Sequence, residues 1–249
     1  MKKKFYSEHV NGTCSFIYSI LAGADGLTIG DWIDAKKLIR PYRRCTLHDL
    51  ISNAVDWYDA ELFYDWPDLQ LDGHRSVVRA AGLAFPTGPE QRLLRGEYTS
   101  EDKTRLYEVI HAATEKIVIP SVFHTLFVDR NFIVALQIQL REFLQNHASD
   151  TLSSDLDGRG RINRVHIPSW LKKALFFRDR GECQLCGEDI SGIKSPFDQI
   201  HIDHVVPLAD FGNNDPTNFQ LVCSVCNLGK GVSTKYERSR FMPYWQESP

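Results

Sequence analysis

The sequence predicts an α+β protein: a mostly helical N-terminal region followed by a small C-terminal domain built as strand, loop, strand and helix. Three observations carry this. Apolar residues recur at helical spacing between residues 46 and 147. Residues 149–163 (SDTLSSDLDGRGRIN) then break the pattern with a Ser-, Asp-, Gly- and Arg-rich stretch expected to be a linker. Beyond it, two Cys-x-x-Cys pairs, Cys183/Cys186 and Cys223/Cys226, bracket a short β-branched run. The expected organisation is a helical domain over 1–148, a linker over 149–163 and a second domain over 164–249.

Thr46–Asp49 (TLHD) has the form of a helix start, leading into Leu47, Leu50, Ile51 and Ala54. Thr99–Asp102 (TSED) opens another, with Leu106, Val109, Ile110 and Ala113 on one face. Ile119–His147 is expected as one long helix opened by Pro120. Asp31 is expected to cap a shorter helix through Arg40, and Gly88–Pro89 to close the segment Arg75–Phe85. After the linker, Pro168 or Ser169 starts a helix whose apolar side is Trp170, Leu171, Ala174, Leu175 and Phe177. His201–Pro207 alternates and ends in proline, so it is expected as a strand. Gly212–Pro216 is a loop, Asn218–Val222 the return strand, and Ser224–Lys230 a short helix stopped by glycine.

Composition is that of an ordinary globular chain, with a formal net charge of −3. No apolar run approaches the roughly 20 residues that span a bilayer. The segment Met1–Tyr6 lacks the apolar core of a signal peptide, so the expected location is the cytoplasm. A nucleic-acid binder usually carries a basic excess, because phosphate contacts supply most non-specific affinity. None is present overall, which argues against avid, unaided DNA binding. The most basic stretch runs from Arg159 to Arg180 and makes Lys172, Lys173 and Arg178 candidate phosphate contacts. Around Trp57, Tyr58, Phe63, Tyr64 and Trp66 the interleaved acids would repel a phosphate backbone and suit a protein partner. His48, His74, His111 and His124 show no ligand-like spacing, and Cys14 and Cys45 are expected as buried thiols.

In a reducing compartment two separated Cys-x-x-Cys pairs favour metal over disulfide. Each turn aims two thiolates at one point, and two turns complete a closed tetrahedral zinc site of structural type. A redox role needs one such pair, not two; spacing alone does not distinguish iron from zinc. The interval between the pairs exceeds that of a simple zinc ribbon. It holds His201-Ile-Asp203-His204 with Pro207, then Gly212, then Asn218, and after the second pair Asn227 and Lys230.

These elements, in this order, resemble the four-cysteine branch of the HNH endonuclease family with its ββα-metal fold, over residues 165–235. Residues 1–150 show no such resemblance. Position by position, the resemblance implies that Asp203 and Asn227 hold a catalytic divalent ion, that His204 is the general base and that Asn218 holds the loop bearing it. Hard oxygen ligands suit Mg²⁺ or Mn²⁺. A neutral imidazole near pH 7 can take a proton from water. Lys230 and His201 are candidate substrate contacts, with Lys235, Arg238 and Arg240 behind them. The implied activity is DNA phosphodiester hydrolysis, by nicking or double-strand cutting, leaving 5′-phosphate and 3′-hydroxyl ends. The family further associates such proteins with bacterial anti-phage systems, as effectors beside an ATPase or sensor. The alternatives are an inactive zinc-binding adaptor and an RNA-directed nuclease.

Overall fold

The computed structural model describes residues 4–65, 67–192 and 200–231. The chain forms two compact units, Met1–Ile33 with Leu47–Leu126, and Asp34–Thr46 with Phe127–Pro249. The architecture is α+β.

The first unit is helical: α1 (Lys4–Leu21), α2 (Thr46–Asp65), α3 (Pro67–Ala80), α4 (Thr87–Leu94), α5 (Ser100–Ala113) and, after a π-helical turn, α6 (Ile119–Val128). Its core takes Ile17 and Ile20 from α1, Leu47, Leu50, Ile51 and Ala54 from α2, Val77 and Val78 from α3, and Leu106 and Ile110 from α5. α5 opens on a full capping box: Thr99 Oγ1 accepts from the Asp102 N–H, and Asp102 accepts from the Thr99 N–H. Gly88 and Pro89 do not close a segment but form the first turn of α4, where a proline's missing N–H costs nothing. The cap expected at Asp31 falls instead at Asp34, whose carboxylate accepts from Lys36 N–H, and the helix there is only a 3-10 turn, Ala35–Leu38. Trp57 stacks on Phe16 at 4.6 Å. Trp66 and the side chains of Tyr58, Phe63 and Tyr64 lie outside the described residues, as do Lys235, Arg238 and Arg240.

The long helix expected over Ile119–His147 is two. Asp129 breaks it: its Oδ1 accepts from the N–H groups of Asn131 (2.9 Å) and Phe132 (3.2 Å), capping a new helix, α7 (Arg130–Leu152). α7 belongs to the second unit. The 149–163 stretch contains the end of α7 and a tight turn closed by a bridge between Leu156 and Ile162. Asp157 organises that turn by accepting from Arg159 N–H, Arg161 N–H and the Arg161 guanidinium.

The rest of the second unit is α8 (Ser169–Arg178), β1 (His201–His204), β2 (Phe219–Val222) and α9 (Ser224–Lys230). The two strands pair antiparallel, with Asp203 opposite Gln220 and His204 opposite Phe219. A small core joins Leu171 and Leu175 of α8, Phe219, Leu221 and Val222 of β2, and Cys183 and Cys223. Phe177, expected on the apolar side of α8, is instead 79% exposed. Among the described residues no single helix is long and apolar enough to cross a membrane.

Candidate metal centre and catalytic cleft

The four sulfurs of Cys183, Cys186, Cys223 and Cys226 lie within 4.8 Å of one another, the only such cluster among the described residues. Cys186 Sγ and Cys223 Sγ are 3.8 Å apart. A tetrahedron of Zn–S bonds of ~2.3 Å has edges of about 3.8 Å, so the Cys186–Cys223 edge has the length that a shared zinc ion would set. Backbone bonds shape both turns: Gly187 N–H donates to Cys183 O at 2.7 Å, and Cys226 N–H points at Cys223 Sγ, which caps α9. Gln184 N–H donates to Leu221 O, tying the first turn to β2. Burial, followed by the crowding of neighbouring cysteines, raises the Cys226 thiol pKa far above its usual value. Thiolates packed this closely call for a shared dication.

Asp203 and His204 line one cleft of about 340 Å³, bordered also by Asn163, Arg164, Pro207 and Gly231. His204 is 4% exposed and packs on Phe219, ring centroids 4.5 Å apart. Its Nε2 lies 3.2 Å from Asn214 Oδ1. The amide of Asn214 is held by two carbonyls: its Nδ2 donates to Ile39 O (2.8 Å) and Asn163 O (2.7 Å). Its oxygen therefore faces the imidazole, His204 Nε2 carries the proton, and Nδ1 keeps the basic lone pair. Sequence reasoning missed Asn214. Only its place in an Asn-rich loop hinted at it, and its partners stand far away along the chain.

Burial pushes the His204 pKa down from 6.5 to about 4, with Arg164 and Lys230 helping, against opposition from the Asn214 bond and the Asp203 charge. The imidazole is thus neutral at pH 7, as a proton acceptor must be. The unfolded chain binds more protons than the folded one between pH 6.5 and 4, so this contribution to stability is complete above pH 6.5 and shrinks as pH falls towards 4. It amounts to ~3 kcal/mol at most. Denaturant melts at several pH values should show a steeper acid loss for wild type than for His204→Gln.

Asn218 is wholly buried. Its Oδ1 accepts from Val206 N–H at 2.8 Å, and its Nδ2 donates to Val206 O and Asn213 O. It thereby clamps the two ends of the 206–213 loop together. Within that loop a Cβ on Gly212 would stand 2.0 Å from Val206 O, so only glycine fits. Asp215 is fully buried, accepting from Thr46 N–H and from Thr217, and burial raises its pKa.

Asp203 Oδ2 accepts from Lys230 Nζ at 2.5 Å and from Gln220 Nε2 at 3.3 Å. Gln220 in turn accepts from Arg130 Nη2 at 2.5 Å, linking α7 to the carboxylate. Lys230 also donates to the backbone oxygens of His204 and Val205. Expected as a phosphate contact, it is instead 6% exposed and paired with Asp203. Arg178 is likewise withdrawn: its guanidinium binds both oxygens of buried Asp179 and Phe219 O. Asp179 needs that charge because its carboxylate is spent inside, accepting from Leu221 N–H. Asn227 is half-buried on α9, one turn before Lys230 and on the same face. Lys172 and Lys173 are exposed, and His201 is half-buried on the same face of β1 as Asp203.

A carboxylate on the cleft wall, both of whose contacts among the described residues fall on Oδ2, leaves Oδ1 to meet a hard cation. Asn227, the other expected ligand, is not among the residues that line this cleft; a carboxylate and an amide oxygen are the donor types that Mg²⁺ or Mn²⁺ prefers.

Residues 183–233 match the family model described as HNH endonuclease, about a fifth of the chain. No curated protein and no solved structure matches the chain. Residues 183–233 are thus similar to HNH endonuclease domains, and the four cysteines clustered there are placed to hold a metal ion such as zinc.

Proposed function

We propose that the protein is a divalent-metal-dependent endonuclease that hydrolyses DNA phosphodiester bonds. The observation that carries this is the pairing of a buried, neutral, tautomer-locked His204 with the Asp203 carboxylate in one cleft. His204 Nδ1 takes a proton from water, and the resulting hydroxide attacks phosphorus. The bond to the 3′-oxygen breaks, and that oxygen recovers a proton from solvent. Asp203 and Asn227 would hold a divalent ion, which supplies charge stabilisation at the scissile phosphate and leaving oxygen. Lys230 neutralises Asp203 and steadies the backbone of His204 and Val205. Asn218 keeps the loop beside the histidine closed.

The net charge of −3 supports delivery to DNA by a protein partner. That fits an effector of a bacterial anti-phage system, working in the cytoplasm beside an ATPase or sensor. The test is incubation of equal amounts of DNA and RNA with the protein and Mg²⁺ or Mn²⁺, followed by end analysis. DNA fragments with 5′-phosphates and 3′-hydroxyls are expected; cleavage of RNA alone would replace the DNA reading.

Asn214 contributes by holding the histidine. Asn214→Ala should lower kcat about tenfold or more while KM changes less than twofold, because the substrate is still bound but the base is no longer fixed. The melting temperature should also fall, since the carbonyls of Ile39 and Asn163 lose buried donors. A kcat equal to wild type in folded Asn214→Ala would remove this role.

A further inference from the structure

Beside the Asp203–His204 cleft lies a second, larger one of about 900 Å³. Arg164 and His204 line both, so the two meet at the proposed base. One wall is a stripe of α8: Lys172, Lys173, Phe176 and Phe177 share one side of the helix, while Leu171 and Leu175 of the same helix are buried in the core. The other walls are the segment 164–167 and the start of β1.

Two properties of this cleft limit what can occupy it. Its charge has one sign: Arg164, Lys172 and Lys173 line it, and among the described residues no carboxylate does. Its surface is also apolar, with Phe176, Ile202 and Leu221 inside, Phe177 79% exposed and Ile200 44% exposed. Apolar surface left open and rimmed by cations marks an interaction site rather than a solvated face. A DNA duplex would satisfy the cations but keeps its base faces stacked on one another, leaving Phe177 in water. A strand with unpaired bases offers both a phosphate chain and flat apolar faces.

We propose that this cleft binds an unpaired stretch of polynucleotide, with a base stacked on Phe177 and flanking phosphates on Lys172 and Lys173. Placing the scissile phosphate of that strand at His204 rests on the nuclease reading above; the stacking does not. The substrate class becomes a strand that is single-stranded, gapped or locally melted at the cut.

The test is fluorescence anisotropy of labelled oligo-dT, oligo-U and a duplex of equal length, without added Mg²⁺ or Mn²⁺. Oligo-dT should bind at least tenfold tighter than duplex. Phe177→Ala should weaken oligo-dT binding about tenfold and change duplex binding little. The double variant Lys172→Ala/Lys173→Ala should weaken both and flatten the salt dependence. Tighter binding of oligo-U would still support the cleft and assign the strand to RNA. Duplex binding as tight as single strand, or a Phe177→Ala protein indistinguishable from wild type, would overturn it. Strand binding by a protein that never cleaves in Mg²⁺ or Mn²⁺ would keep the cleft and remove the nuclease reading. Plasmid nicking without strand preference would do the reverse.

Discussion

Cys223→Ser should reduce bound zinc from one per chain to near none and dismantle the C-terminal domain. The strands β1 and β2 are four residues each, and the core beside them is small. Two of the ligands, Cys183 and Cys223, are themselves members of that core. Structural zinc sites contribute roughly 10–16 kcal/mol of apparent binding free energy, against a typical total stability of about 5–15 kcal/mol. Losing one thiolate therefore removes as much as the domain has to spare. Cys223 is the most damaging choice because its sulfur also caps α9, which carries Asn227 and Lys230. Elemental analysis for zinc and near-ultraviolet circular dichroism would read both effects. A Cys223→Ser protein that lost its metal yet kept native packing would show that the cysteines do not staple the fold.

His204→Ala should lower the cleavage rate by about 10²–10⁴, the usual contribution of a positioned general base. That is ~3–5 kcal/mol on the barrier. Zinc content should stay at one per chain, because His204 is not one of the four clustered sulfur donors. His204→Gln fills more of the space against Phe219 and should melt closer to wild type, while remaining as slow as the alanine variant. Equal rates for wild type and both variants would move the base elsewhere.

The clustering of the four cysteines and the placing of Asp203 and His204 together on β1 were legible in the sequence because both are local. Two Cys-x-x-Cys turns fix sulfur geometry within four residues each, and strand alternation fixes the faces of β1. The support around them was not legible. The segment Gly212–Asn218 has the composition of an exposed loop, yet Asn213, Asn214, Asp215, Thr217 and Asn218 are all fully buried. Their partners come from far along the chain: Leu38 O for Asn214, and Gln137 of α7 for Asn213 and Thr217. Nothing in the spacing announces such pairings. Arg178 and Lys230, expected as phosphate contacts, instead pair with carboxylates, Arg178 with buried Asp179 and Lys230 with half-buried Asp203, and nothing in the local spacing announces either pair. The break at Asp129 was hidden by an apolar pattern that runs on across it, while the cap at Thr99 was visible because its two partners lie three residues apart.

The most direct test of the nuclease reading is the conversion of supercoiled plasmid by folded, zinc-loaded protein, followed before and after addition of Mg²⁺ or Mn²⁺. Conversion to nicked or linear DNA only after addition is the expected result. No conversion with either ion, by protein shown to be folded and to carry its zinc, would contradict it.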